Sequence, residues 1–170
     1  MVDGRFKVKF LCVSGVMKLT GIILVLLLLI LPLPASATPD ASPIGEWQVE
    51  DGKAHIRILL CENSLWGFID WLEDPDTDNN NPDTAKRNRS LLGLPILKSM
   101  QLKESRWEGE MYNTDNGRTY NGNIHLTSAD ALYIEGCVLG GWICGGEQWK
   151  RIHTDSSSKG DDALCASAAE

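Results

Sequence analysis

The sequence predicts an all-β fold: a single eight-stranded antiparallel up-and-down barrel. Three observations lead there. Beyond residue 37, short apolar runs are separated by turn signals about every eight to twelve residues, the spacing of barrels and sandwiches. Two candidate hairpins each sort their residues into one wholly apolar face, as strands with one face in a core must. Gly67, Gly109 and Gly122 fall on those faces, where a missing side chain lets a sheet bend until it closes and loses its exposed edges.

In chain order, the first strand covers residues 45–50 and stops at Asp51-Gly52. The second and third, 54–61 and 65–72, flank Asn63-Ser64. With that pair as the turn, Ala54, Ile56, Ile58 and Leu60 share a core face with Leu65, Gly67, Ile69 and Trp71. The other face carries His55, Arg57, Cys61, Trp66, Phe68 and Asp70, with Arg57 opposite Asp70 as a cross-strand ion pair. Residues 73–90 form a polar loop, and a fourth strand within 91–102 is bent or at an edge because of Gly93 and Pro95. Residues 106–112 and 118–127 make a hairpin about Asn116-Gly117, a type I′ signal. Its register sets Trp107, Gly109 and Met111 against Leu126, Ile124 and Gly122. The last hairpin, 131–138 and 142–152, turns on Gly140-Gly141, which tolerate the positive φ such turns require. Leu139 then faces Trp142, Val138 faces Ile143, and Cys137 faces Cys144. The barrel domain spans 38–153, and the Ser-, Asp- and Ala-rich residues 154–170 read as a disordered tail.

Residues 1–37 read as a signal peptide. Arg5, Lys7, Lys9 and Lys18 precede an apolar run at 20–33 and then Ala35-Ser36-Ala37, so cleavage is expected before Thr38. The run is shorter than the roughly 20 residues a membrane span needs, so the mature form is expected to have no span and to be periplasmic or secreted. Removing this segment takes away four basic residues and one acidic one. That leaves 12 Lys/Arg against 22 Asp/Glu, a formal charge of −10. Such acidity argues against nucleic acid as a partner. In an oxidising compartment Cys137 and Cys144 are expected to form a disulfide; with no second pair at ligand spacing, zinc is not.

Catalytic signals are missing from the sequence. There is no Gly-x-Ser-x-Gly, no His-Glu-x-x-His and no phosphate-binding glycine loop. His55, His125 and His153 are isolated, and His55 lies about 20 Å along a strand from Cys61, too far for a nucleophile pair. Asp74-x-Asp76-x-Asp78 with Asn80 and Asp83 is similar to a calcium loop, but it lacks the sixth-position glycine and has Ala85 at the twelfth. No enzyme activity, metal or cofactor is therefore expected. Two functions remain. One is a binding barrel that holds a small apolar or amphipathic ligand in its mouth. The other is an envelope interaction module with a side-chain-filled barrel, meeting a protein partner through its loops or an exposed Trp66/Phe68 face. Arg87 and Arg89 alternate along the chain, so both guanidiniums point one way and could grip a carboxylate or phosphate. Tyr112 and Tyr120 join them as candidate ligand-binding residues. Internal ion pairing with the neighbouring aspartates is the competing role for the arginines.

Gly45-Glu46-Trp47 resembles the Gly-x-Trp that opens lipocalins, whose tryptophan lies at the barrel floor beneath an arginine from the last-strand region. On that resemblance Trp47 and Arg151, with Trp149 beside them, would close this barrel by cation–π contact. Further residues extend the likeness: Asp51-Gly52-Lys53, Trp71-Leu72-x-Asp74-Pro75, Asn81-Pro82-Asp83, Arg87-x-Arg89-x-Leu91-Leu92-Gly93-Leu94, Asn116-Gly117-x-Thr119-Tyr120-x-Gly122, Gly136-Cys137, Cys144 and Trp149-x-Arg151. Together they resemble the DUF2147 family of bacterial secreted proteins. The resemblance implies a lipocalin-like barrel and no characterised activity. Members usually carry a second cysteine five residues after the one matching Cys61. Trp66 stands there in this chain, so Cys61 is expected to be unpaired and packed against Trp66.

Overall fold

Strand pairing runs around the molecule without a break. The computed structural model describes residues 42–138, 143–153 and 160–168. It contains β1 (Gly45–Gln48), β2 (Ala54–Cys61), β3 (Ser64–Leu72), β4 (Pro95–Lys103), β5 (Arg106–Asn113), β6 (Arg118–Ser128), β7 (Ala131–Val138) and β8 (Ile143–Ile152). Each strand is antiparallel to the next, and β1 pairs with β8, so the eight strands form a closed up-and-down barrel. Alternate residues point inward and pack as one core that includes Trp47, Ile56, Ile58, Leu65, Leu97, Ile124, Leu132 and Trp149. The connections after β1, β3 and β5 emerge at the mouth, and those after β2, β4 and β6 at the floor. The expected signal peptide with cleavage before Thr38, the Gly140-Gly141 turn and the Leu139–Trp142 pairing lie outside the described residues.

Two hairpins turn earlier or wider than expected. In β2–β3, Cys61 pairs with Ser64, so Glu62-Asn63 is the turn and Glu62 takes a positive φ of 55°. In β5–β6, Asn113 pairs with Arg118 and the loop holds residues 114–117. Gly117 closes it with a φ of 65°, donating to the Asn113 carbonyl at 2.9 Å. A side chain there would run into the long loop, since a Cβ would come within 2.8 Å of Pro82. Both shifts move the register by two, which preserves the faces, because side chains alternate with a period of two.

A bulge does change a face. Between His55 and Ile56 the register slips by one residue. This turns Trp71 out of the expected core face, 42% exposed and with its ring 4.6 Å from that of His55. Leu60, also expected in the core, sits at the floor end and is 51% exposed. Arg57 lies opposite Phe68 and reaches diagonally to Asp70, with Nε at 3.1 Å and Nη2 at 2.9 Å. Strand β4 is bent by register shifts against both neighbours and by a positive φ of 47° at Ser99. Because it is paired on both sides, it is not an edge.

The C-terminal segment corrects two expectations. Residues 161–167, read from composition as disordered, form a helix, α1 (Asp161–Ser167). Cys61, expected to be unpaired, is disulfide-bonded to Cys165 of that helix. The physical cause is the outward face of β2–β3, where Leu59 and Phe68 would otherwise meet water. Leu164, Cys165 and Ala168 cover them together with Trp66, and burying such apolar area is favourable. Arg57 adds an ion pair to Asp161 at 3.5 Å. Because the link joins residues 104 apart, constraint of the unfolded chain alone is worth about 4–5 kcal/mol.

Candidate ligand site in the barrel mouth

Register places a row of glycines across four strands. Gly109 pairs with Gly122, Gly122 with Gly136, and Gly136 with Gly145, all facing inward. The two ends of this row differ. A Cβ on Gly109 would come within 2.7 Å of the Lys98 carbonyl and of Met100 Sδ, and the space at Gly122 belongs to Met111 and the Glu135 carbonyl. At Gly136 and Gly145 a Cβ would meet nothing within 4 Å. Beside this open end lies a cavity of about 790 Å³, bordered by Ile56, Ile69, Leu97, Met111, Ile134 and Trp149 and opening among Asp51, Lys53 and Asp115.

The floor is sealed from below. Trp47 is fully buried, and its Nε1 donates to the Pro43 carbonyl at 2.8 Å. Arg151, paired with Trp47 across β1–β8, lays its guanidinium 4.1 Å from the centre of the indole. Its nitrogens donate to the carbonyls of Ala129 at 2.8 Å, Ile44 at 2.9 Å and Ser42 at 2.6 Å. Burial lowers the Arg151 pKa, with Asp130 opposing the shift. Trp149 lies one inward position above Arg151, where it forms the base of the cavity. Its Nε1 donates to Glu147 Oε1 at 2.5 Å. Glu147 occupies the next inward position, opposite Ile134, and borders the cavity.

The four candidate ligand residues separate. Tyr120 borders the cavity, with its hydroxyl accepting from Asn116 at 3.0 Å. Tyr112 also borders it, but its hydroxyl donates to Asp78, whose carboxylate oxygens lie 2.6 and 2.7 Å away. Arg89 lies off the cavity lining and grips the same carboxylate through Nε at 2.9 Å and Nη2 at 2.7 Å. Arg87 is exposed and donates to the Asn81 carbonyl at 2.8 Å. Arg89 therefore makes the internal ion pair that competed with ligand binding. Asp78 is only 1% exposed. Burial pushes its pKa up, but hydrogen bonds from Tyr112, Asn81 and Arg89 prevail and hold it below the ordinary carboxylate value. Burial, then the Asp78 contact, raises the Tyr112 hydroxyl. This cluster clamps the long loop to the barrel wall.

The aspartate run is likewise engaged internally: Asp76 accepts from the Thr77 amide at 2.6 Å and from Asn79 at 2.9 Å. Among the described residues, Glu135, Cys137 and Cys144 bring potential ligand atoms within 4.8 Å of one another. The two sulfurs are joined as a disulfide across directly paired positions of β7 and β8. Glu147 and Gly145 were not singled out from sequence, and Gly136 entered only through the family likeness. The register that opposes Cys137 to Cys144 also opposes Gly136 to Gly145 and turns Glu147 inward, so the signal was present.

A closed eight-stranded barrel with a sealed floor and an open mouth defines the lipocalin-like class. A solved structure entitled "Protein HP1028 from the human pathogen Helicobacter pylori belongs to the lipocalin family" shares the fold, with a TM-score of 0.62 and 17% identity over 76% of this chain and 99% of that one. Residues 45–151 match the family described as "Uncharacterized protein conserved in bacteria (DUF2147)", and the chain belongs to it. No curated protein matches the sequence.

Proposed function

We propose that this protein is an exported, non-catalytic binding barrel that holds a small apolar or amphipathic ligand in its mouth. The observation that carries the reading is the cavity of about 790 Å³ above the Trp47–Arg151 floor, kept open by Gly136 and Gly145. Its size and mostly apolar walls suit a small molecule. The two disulfides support export, because such bonds persist in oxidising compartments. The Trp66/Phe68 face offered for the interaction-module reading is not exposed as expected, since Phe68 is fully buried in the cluster that α1 covers.

Filling the open end of the glycine row tests this reading. Neither Gly136 nor Gly145 has a positive φ, so Gly136→Leu adds volume without backbone strain. The wild type should bind the fluorescent apolar probe N-phenyl-1-naphthylamine, and Gly136→Leu should bind it at least roughly tenfold more weakly at an unchanged melting temperature. Equal probe affinity in both proteins would refute the assignment of the site.

A further inference from the structure

We infer that the polar end of the ligand is a cation, an amine or quaternary ammonium group, received by Glu147; this rests on the binding-barrel reading and specifies its ligand class. Glu147 is the charged side chain within the wall, next to the gap left by Gly136 and Gly145. The Trp149 N–H occupies one of its oxygens, and a carboxylate offers about four acceptor sites. At the rim, Asp51 and Asp115 stand against Lys53, whose amine lies 3.9 Å from Asp51. The charge facing an incoming head group is therefore net negative.

Among the described residues, the one cation that borders the cavity is Lys53, beside Asp51 at the rim, and the others that would suit an anionic head are placed elsewhere. Arg89 is held by Asp78, Arg87 lies off the cavity lining, and Arg151 is beneath Trp47 on three carbonyls. A fatty-acid carboxylate would meet Glu147 with like charge in an apolar enclosure, where repulsion is poorly screened. A protonated amine would instead complete the hydrogen bonding of Glu147, and a quaternary ammonium, which has no N–H to donate, would meet its negative charge.

Calorimetric titration of the oxidised protein with four amphiphiles sharing a dodecyl chain, each kept below its micellar concentration, tests the inference. Dodecyltrimethylammonium and dodecylamine supply the cationic head, dodecanol the neutral head and dodecanoate the anionic one. The wild type should prefer the cations over dodecanoate by at least roughly tenfold, the scale of one charged contact. Glu147→Gln, which keeps an acceptor for Trp149, should abolish that preference. Glu147→Asp should retain it. Dodecanoate binding as tightly as the cations would overturn the inference on the wild type alone, whatever the folding of the variants. A cation preference that survives in folded Glu147→Gln would overturn it too, by assigning the effect to the overall negative charge. Failure of every chain to bind would instead defeat the binding-barrel reading.

Discussion

Gly122 and Gly136 are cross-strand neighbours with opposite roles. At Gly122 the absent side chain makes room for Met111, so the glycine serves close packing. At Gly136 the room is left empty, so the glycine serves the cavity. The contrast continues along the barrel axis, from the sealed floor at Trp47 and Arg151 to the open wall at Glu147. One residue type on one inward row thus either packs a core or hollows it. Which of the two it does depends on whether a neighbouring strand supplies a long side chain to fill the space.

The floor should be the more sensitive half. Trp47→Ala removes a fully buried indole and should cost about 3–5 kcal/mol in denaturant unfolding. Arg151→Ala should cost less in its ring contact, about 0.5–2 kcal/mol. The double variant should fall short of the sum, because the second change has no partner left to lose. Additive losses would mean that the two residues do not seal the floor together.

Next in size is the loop clamp. Asp78→Asn keeps the shape but removes a charge held by Arg89 and Tyr112, and should cost about 2–3 kcal/mol. The pH dependence has a defined sign. The folded-state pKa of Asp78 lies below its ordinary value, so its contribution is fully present above about pH 4 and fades as pH falls through the folded value. Unfolding measured from pH 6 downward should show this loss in the wild type and less of it in Asp78→Asn. Identical acid profiles would remove Asp78 from the account of stability.

The smallest effects are expected within the glycine row itself. Gly122→Ala forces a methyl against Met111 and the Glu135 carbonyl and should cost about 1–3 kcal/mol. Gly136→Ala should be neutral or stabilise by about 0.4–1 kcal/mol, because it restricts the unfolded chain and meets open space. Equal losses in thermal melts would erase the distinction between the two ends of the row.

Much of the barrel was legible in the sequence because strand faces depend on parity. Turns misplaced at Asn63-Ser64 and Asn116-Gly117 still left Ile56, Ile58, Gly109 and Met111 on the correct side. A bulge breaks parity, and Trp71 was misread for that reason. Turn positions escaped because tertiary contact decides them, as where Gly117 packs on Asn81 and Pro82. The helix α1 escaped because seven residues carry little helical propensity of their own; the disulfide and the apolar face of β2–β3 hold it. Of the site, Tyr120 was readable by parity. Arg89 was not placed, because the fold of its loop brings Asp78 to it.

A crystal structure of the wild type grown with N-phenyl-1-naphthylamine would locate the occupant of the barrel mouth. The naphthyl ring should lie between Gly136, Gly145 and Trp149, above an unchanged Trp47–Arg151 floor. Upper-wall side chains collapsed into the glycine gap, with the probe bound elsewhere or absent, would contradict it.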